Sequence, residues 1–99
     1  MNKQKVSNLL GLAQRAGKII SGEEMVVKAI QDRKVKLVFL AHDASPNLTK
    51  KIQDKSHYYQ VEVITVFSTL ELSIAVGKSR KVLAVTDAGF TKKMRSLMK

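Results

Sequence analysis

The sequence predicts an α/β fold, a three-layer α/β/α sandwich around a mixed sheet of about four strands. Three observations predict it. The runs "VKLVFLA" (35–41), "VEVITVF" (61–67) and "KVLAV" (81–85) are rich in β-branched and apolar residues, the pattern of strands covered on both faces. Stretches with helical spacing separate them, opened by capping residues and closed by glycine. Ninety-nine residues, 44% of them apolar, provide for one core and hence one domain, residues 1–99.

Along the chain, Val6, Leu9, Leu10, Ala13 and Ala16 recur on one side of a helix over residues 4–16, with Gly17 as its C-terminal cap. "KIIS" is a short β-branched run, and Ser21 with Glu24 forms an S-x-x-E capping box that opens a second helix over 22–32. After the 35–41 strand, Ser45-Pro46 opens a third helix that carries Leu48, Ile52 and Tyr59 on its inner side. Ser68 with Glu71 opens a fourth, which closes at Gly77. "GFTKKMRSLMK" is a basic C-terminal helix with Phe90, Met94 and Leu97 or Met98 on its apolar side.

Charge narrows the class of function. Eighteen Lys and Arg against eight Asp and Glu give a formal charge of +10. The surplus is equal in the two halves, so it belongs to the folded body and points to a polyanionic partner. The chain has no cysteine, which excludes disulfides, thiolate metal sites and a cysteine nucleophile. No run approaches a signal-peptide core or a membrane span, so a cytoplasmic protein without a membrane partner is expected.

Motifs for chemistry are few. "GKS" at 77–79 lacks the earlier glycine of a phosphate-binding loop, since Leu72 stands there, and it follows a helix where that loop follows a strand. His42-Asp43 ends a predicted strand, but neighbours on a strand face opposite ways; Asp43 or Ser45 is expected to cap the next turn. His42 and His57 have no ligand spacing, and no metal or cofactor is expected. Tyr59 is expected in the core, although tyrosine can also stack on a base. A helix-turn-helix needs a tight turn where "KIISG" intervenes. What remains is "GKSRK" (77–81), three cations in a loop, of interest if it lies beside the start of the second helix.

The segments "AGKIISGEEMVVKAI", "KVKLVFLAHDASP" and "LELSIAVGKSRKVLAV", in that order and spacing, resemble the kink-turn-binding superfamily of large-subunit ribosomal proteins, the L-seven-Ae and L-thirty-e group, and most closely its small bacterial members. The resemblance runs from about Leu10 to Asp87. It implies a non-enzymatic α/β/α protein that grips a sharply bent RNA internal loop with tandem sheared G·A pairs. It also implies that the pattern G-x-N-E-x-x-K at the start of the second helix meets the RNA. Gly22 and Lys28 match that pattern, and Glu24 and Met25 stand where it has Asn and Glu.

The resemblance further implies that the loop before the last strand packs on a bulged nucleotide. Here that loop holds Gly77, Lys78, Ser79 and Arg80, suited to phosphate more than to apolar packing. The expected partner is a kink-turn or other structured RNA, ribosomal RNA included, bound by a monomer. Lys18, Gly22, Lys28, Lys78 and Arg80 are expected to face phosphate, with Glu24 and Met25 at the base edges. Glu24 either caps its helix or reads a base, Met25 enters the core or packs under a base, and Glu23 is expected in solvent. The alternative is a protein-interaction module on the same fold with only nonspecific affinity for RNA.

Overall fold

The computed structural model describes residues 1–99. The chain runs α1 (Lys3–Arg15), β1 (Ile19–Ser21), α2 (Glu23–Gln31), β2 (Leu37–Leu40), α3 (Pro46–Tyr58), β3 (Glu62–Ile64), α4 (Thr69–Val76), β4 (Val82–Val85) and α5 (Ala88–Leu97). The sheet order is β1-β4-β2-β3, with β4 antiparallel to both neighbours and β2 parallel to β3.

The period of two along each central strand divides the core. Leu37, Phe39, Leu83 and Val85 face α1, α4 and α5, packing on Val6, Leu10, Leu72, Val76 and Met94. Val38, Leu40, Val82 and Ala84 face α2 and α3, packing on Val26, Ala29, Ile30, Leu48 and Ile52. Two helical layers around a buried mixed sheet are the predicted α/β/α sandwich. Every residue of β2 and β4 is buried, which is why their sequences read as unbroken apolar runs.

Three expectations need correction. "VEVITVF" contributes only a three-residue flank strand whose Glu62 is exposed; a flank strand pairs on one side alone, and Phe67 reaches the core from the loop beyond it. Ala16 is an exposed residue after α1, outside the buried stripe. The predicted Ser21–Glu24 capping box does not form, for reasons that belong to the site below.

The other caps form. Ser45 Oγ accepts from the Leu48 N–H (3.2 Å) and Asp87 from the Phe90 N–H (2.8 Å). At α4, Ser68 Oγ accepts from the Glu71 N–H (3.1 Å) while the Glu71 carboxylate accepts from the Ser68 N–H (2.9 Å). Gly77 closes that helix at φ +76°. Tyr59 is half-buried against the α2–α3 side of the core, its ring edge-to-face with exposed Tyr58.

Asp43, expected with Ser45 as a candidate cap for the turn after its strand, instead serves the start of α4. Its Oδ1 accepts from the Thr69 N–H (2.9 Å) and hydroxyl (2.7 Å), and these bonds hold its pKa below the usual 3.8. The Ser68 N–H, then Lys3, likewise hold Glu71 below its usual 4.5. A carboxyl whose folded pKa is depressed contributes stability above its unfolded pKa and loses it as pH falls through the folded value. Melting temperature should therefore drop as pH falls below about 4.5. Asp43→Asn combined with Glu71→Gln should start lower at neutral pH and lose less across that acidic window. Curves that stay parallel would place the acid sensitivity elsewhere.

Candidate nucleic-acid interface

The candidate surface is built where β1 hands over to α2. Gly22 sits at φ +92° and ψ 150°, a conformation essentially confined to glycine, and turns the chain from strand to helix in one residue. Its N–H donates to the Val82 carbonyl (3.2 Å), which fixes the start of α2 against the start of β4. The loop of residues 77–81 leads directly into β4, so the "GKSRK" segment lies beside the α2 N-terminus.

Ser21 explains why no capping box forms. As the last residue of β1 it pairs with Leu83, and its hydroxyl accepts from Arg80 Nε (2.9 Å), 59 residues along the chain. Gly22 then occupies the N-cap without a side chain, so no side chain caps α2. The first bond of the helix runs from the Val26 N–H to the Gly22 carbonyl (3.0 Å), and the three preceding N–H groups of α2 point outward unpaired.

Arg80 is pinned from several sides. Its backbone N–H donates to Ser73 Oγ (3.0 Å), the Ser73 hydroxyl donates to its carbonyl (3.3 Å), and its Nη1 donates to the Ser79 carbonyl (2.7 Å). The half-buried guanidinium thus ties the loop to β1 and keeps Nη2 free. Lys78 is exposed with no acidic partner, and Ser79 and Gly77 are exposed beside it.

On α2, the buried face is Val26, Ala29 and Ile30, which leaves Glu24, Met25 and Lys28 on one outer strip by helical spacing. Met25 is 58% exposed, so the core, its commoner fate, is not where it lies. Lys28 pairs with Asp32 one turn on (3.1 Å), an exposed pair worth little. Glu23 is exposed as expected but also binds Lys51 of α3 (2.8 Å), which raises the Lys51 pKa.

Seven of the eight carboxylates have a cationic or N–H partner within bonding distance, and Glu24 alone has none, its charge reaching only Lys51 and from farther off. Capping, one of the two roles the sequence left open for it, is therefore absent. Lys18 is separated from this group: it lies at the opposite end of β1, its carbonyl accepting from the Thr86 N–H (3.0 Å) and hydroxyl (3.1 Å). Ser21 and Ser73 position Arg80, a role the sequence does not signal, because the contacts depend on how β1, α4 and the 77–81 loop pack together.

Five of the eighteen cations pair with acids, which leaves thirteen without one. No three His, Cys, Asp or Glu side chains come together as a metal site, and no helix is long and apolar enough to cross a membrane.

Among known proteins, the chain is 50% identical over 97 residues to the RNA-binding protein YlxQ of Enterococcus faecium, covering 98% of this chain and 94% of that one. A solved structure from Bacillus halodurans, of a protein of unknown function, superposes with a TM-score of 0.90 at 45% identity, covering 95% and 96% of the two chains. The 15.5kD RNA binding protein of Giardia lamblia shares the fold at a TM-score of 0.82 and 18% identity, over 95% of this chain and 82% of that one. The model of the ribosomal protein L7Ae/L30e/S12e/Gadd45 family matches residues 4–95, and the chain belongs to that family.

Proposed function

We propose that the chain is a non-enzymatic, cytoplasmic RNA-binding protein that recognises a kinked internal loop in ribosomal or other structured RNA. The observation that carries this is Glu24, the one carboxylate without a hydrogen-bond or ion-pair partner, on the uncapped first turn of α2 that Gly22 ties to the strand following the cationic 77–81 loop. A free carboxylate repels phosphate but accepts hydrogen bonds from base amino and imino groups, which a distorted duplex exposes and a regular A-form helix hides. Lys28, Lys78 and the free Nη2 of Arg80 would meet the backbone on either side. The E. faecium relative is an RNA-binding protein by name, which supports the same reading.

Titration of a kink-turn RNA and a straight duplex of equal length and charge, at two salt concentrations, tests it. The kink-turn should bind tighter, and Glu24→Gln should reduce that advantage by roughly fivefold, about 1 kcal/mol, as a charge-assisted bond becomes a neutral one. Duplex binding should improve slightly with the charge removed. Melting should barely change, because Glu24 caps nothing. An unchanged ratio of dissociation constants would defeat the base-reading role.

A second reading draws on Leu70 and Ile74, 69% and 72% exposed one turn apart on α4. If wild type binds both RNAs equally at each salt concentration, a protein-interaction module with nonspecific RNA affinity becomes the better account.

A further inference from the structure

A cleft of about 770 Å³ lies at the other end of β4 from Gly22, between the turn after α2, the end of β4 and α5. Arg33, Lys34, Lys36, Lys92, Arg95 and Lys99 line it. Asp87 is the single acid there, and its carboxylate is engaged with the Phe90 N–H. Of the six cations only Arg95 has an acidic partner, Glu62 at 2.8 Å. Arg95 Nη2 also donates to the Lys36 carbonyl (3.1 Å), so α5 is tied to the opposite wall and the two keep a fixed separation there. Arg33 rests on the Tyr59 ring at 5.3 Å. Lys18, set apart from the α2 surface, is anchored to Thr86 on the rim of this cleft.

Six cations around one cavity repel one another, and an arrangement of that kind is relieved by a polyanion. We infer that the cleft holds a second stretch of RNA phosphodiester backbone, separate from the loop at the α2 N-terminus. The inference rests on the RNA-binding reading above. A lipid surface fits less well, because the cleft is concave and its only apolar lining residues are Val85 and Ala88, whereas interfacial binding needs apolar side chains to insert. β1, the flank strand, joins the two sites: Lys18 precedes one end and Gly22 follows the other, roughly 13 Å away at strand rise. An RNA longer than its bent loop can therefore run along this edge and engage both.

The test uses the full chain and a kink-turn RNA with extended stems. Lys34→Gln, Lys92→Gln and Lys99→Gln together should lower the slope of log affinity against log salt by about two to three units, one for each lost phosphate contact. In unmodified protein, the backbone amide NMR signals of Thr86 and Lys92 should move on addition of the RNA, a readout independent of how the triple variant folds. If the signals of Gly22 and Met25 move while those of Thr86 and Lys92 stay and the slope holds, the second site is overturned and the first stands. If neither set moves, the RNA-binding reading itself falls. Vesicles containing phosphatidylserine that move Thr86 and Lys92 where RNA does not would also overturn the inference.

Discussion

Phe39→Ala is expected to cost about 3–5 kcal/mol of folding stability. The ring is fully buried in the middle of β2, opposite Leu83 in register, and meets Phe67 edge-to-face at 5.9 Å between centroids. Both losses add: the transfer energy of the aromatic side chain, and the cavity left between a sheet and three helices that hydrogen bonds hold in place. A domain of this size is stable by about 5–15 kcal/mol, so at least about a fifth of the total would go. Urea unfolding should show a much lower midpoint with an unchanged slope. A loss below about 1 kcal/mol would mean that α1, α4 and α5 collapse into the space, contrary to the close packing of Gly11, where an added Cβ would stand 3.0 Å from the Ala75 carbonyl.

Gly22→Ala acts through the backbone alone. No atom lies within 4 Å of an added Cβ, so sterics with neighbours do not oppose it. The φ of +92° does, at about 1–3 kcal/mol for a residue with a side chain. The chain can relieve the strain only by rotating φ to negative values, which breaks the bond from the Gly22 N–H to Val82 and draws the start of α2 away from the 77–81 loop. Stability should fall by that amount, and preference for a kink-turn over a straight duplex should fall toward unity while duplex affinity persists. A variant that melts lower yet keeps its full preference would show that the site does not depend on this turn.

Local signals were read correctly where the interaction is local. Ser45-Pro46 and the Ser68–Glu71 box cap their helices because each bond spans three residues, and β2 and β4 read as buried because both their faces are covered. Misreadings arose where a distant residue decided. Ser21 and Glu24 have the spacing of a box, but β1 pairing turns the Ser21 hydroxyl toward Arg80. Met25, left between the core and a base by the sequence, stays out of the core because the α2 register commits Val26, Ala29 and Ile30 to that face. Lys18 and Gly22 are close in sequence, but an extended strand holds them at opposite ends of the sheet. The cationic cleft gathers three separate segments, and their proximity is set by topology, which no spacing rule encodes.

The position of β4 fixes when the candidate surface can exist. It is the last strand in the chain, yet it sits between β1 and β2, so residues 19–21 have no strand partner until residues 82–85 arrive. Gly22 meets Val82, and Ser21 meets Arg80, only at that insertion. The α2 N-terminus and the loop that flanks it are therefore brought together by the same event that completes the hydrophobic core, and a nascent chain that has not yet released its final quarter has neither. Assembly of the candidate surface is thus timed to completion of the fold.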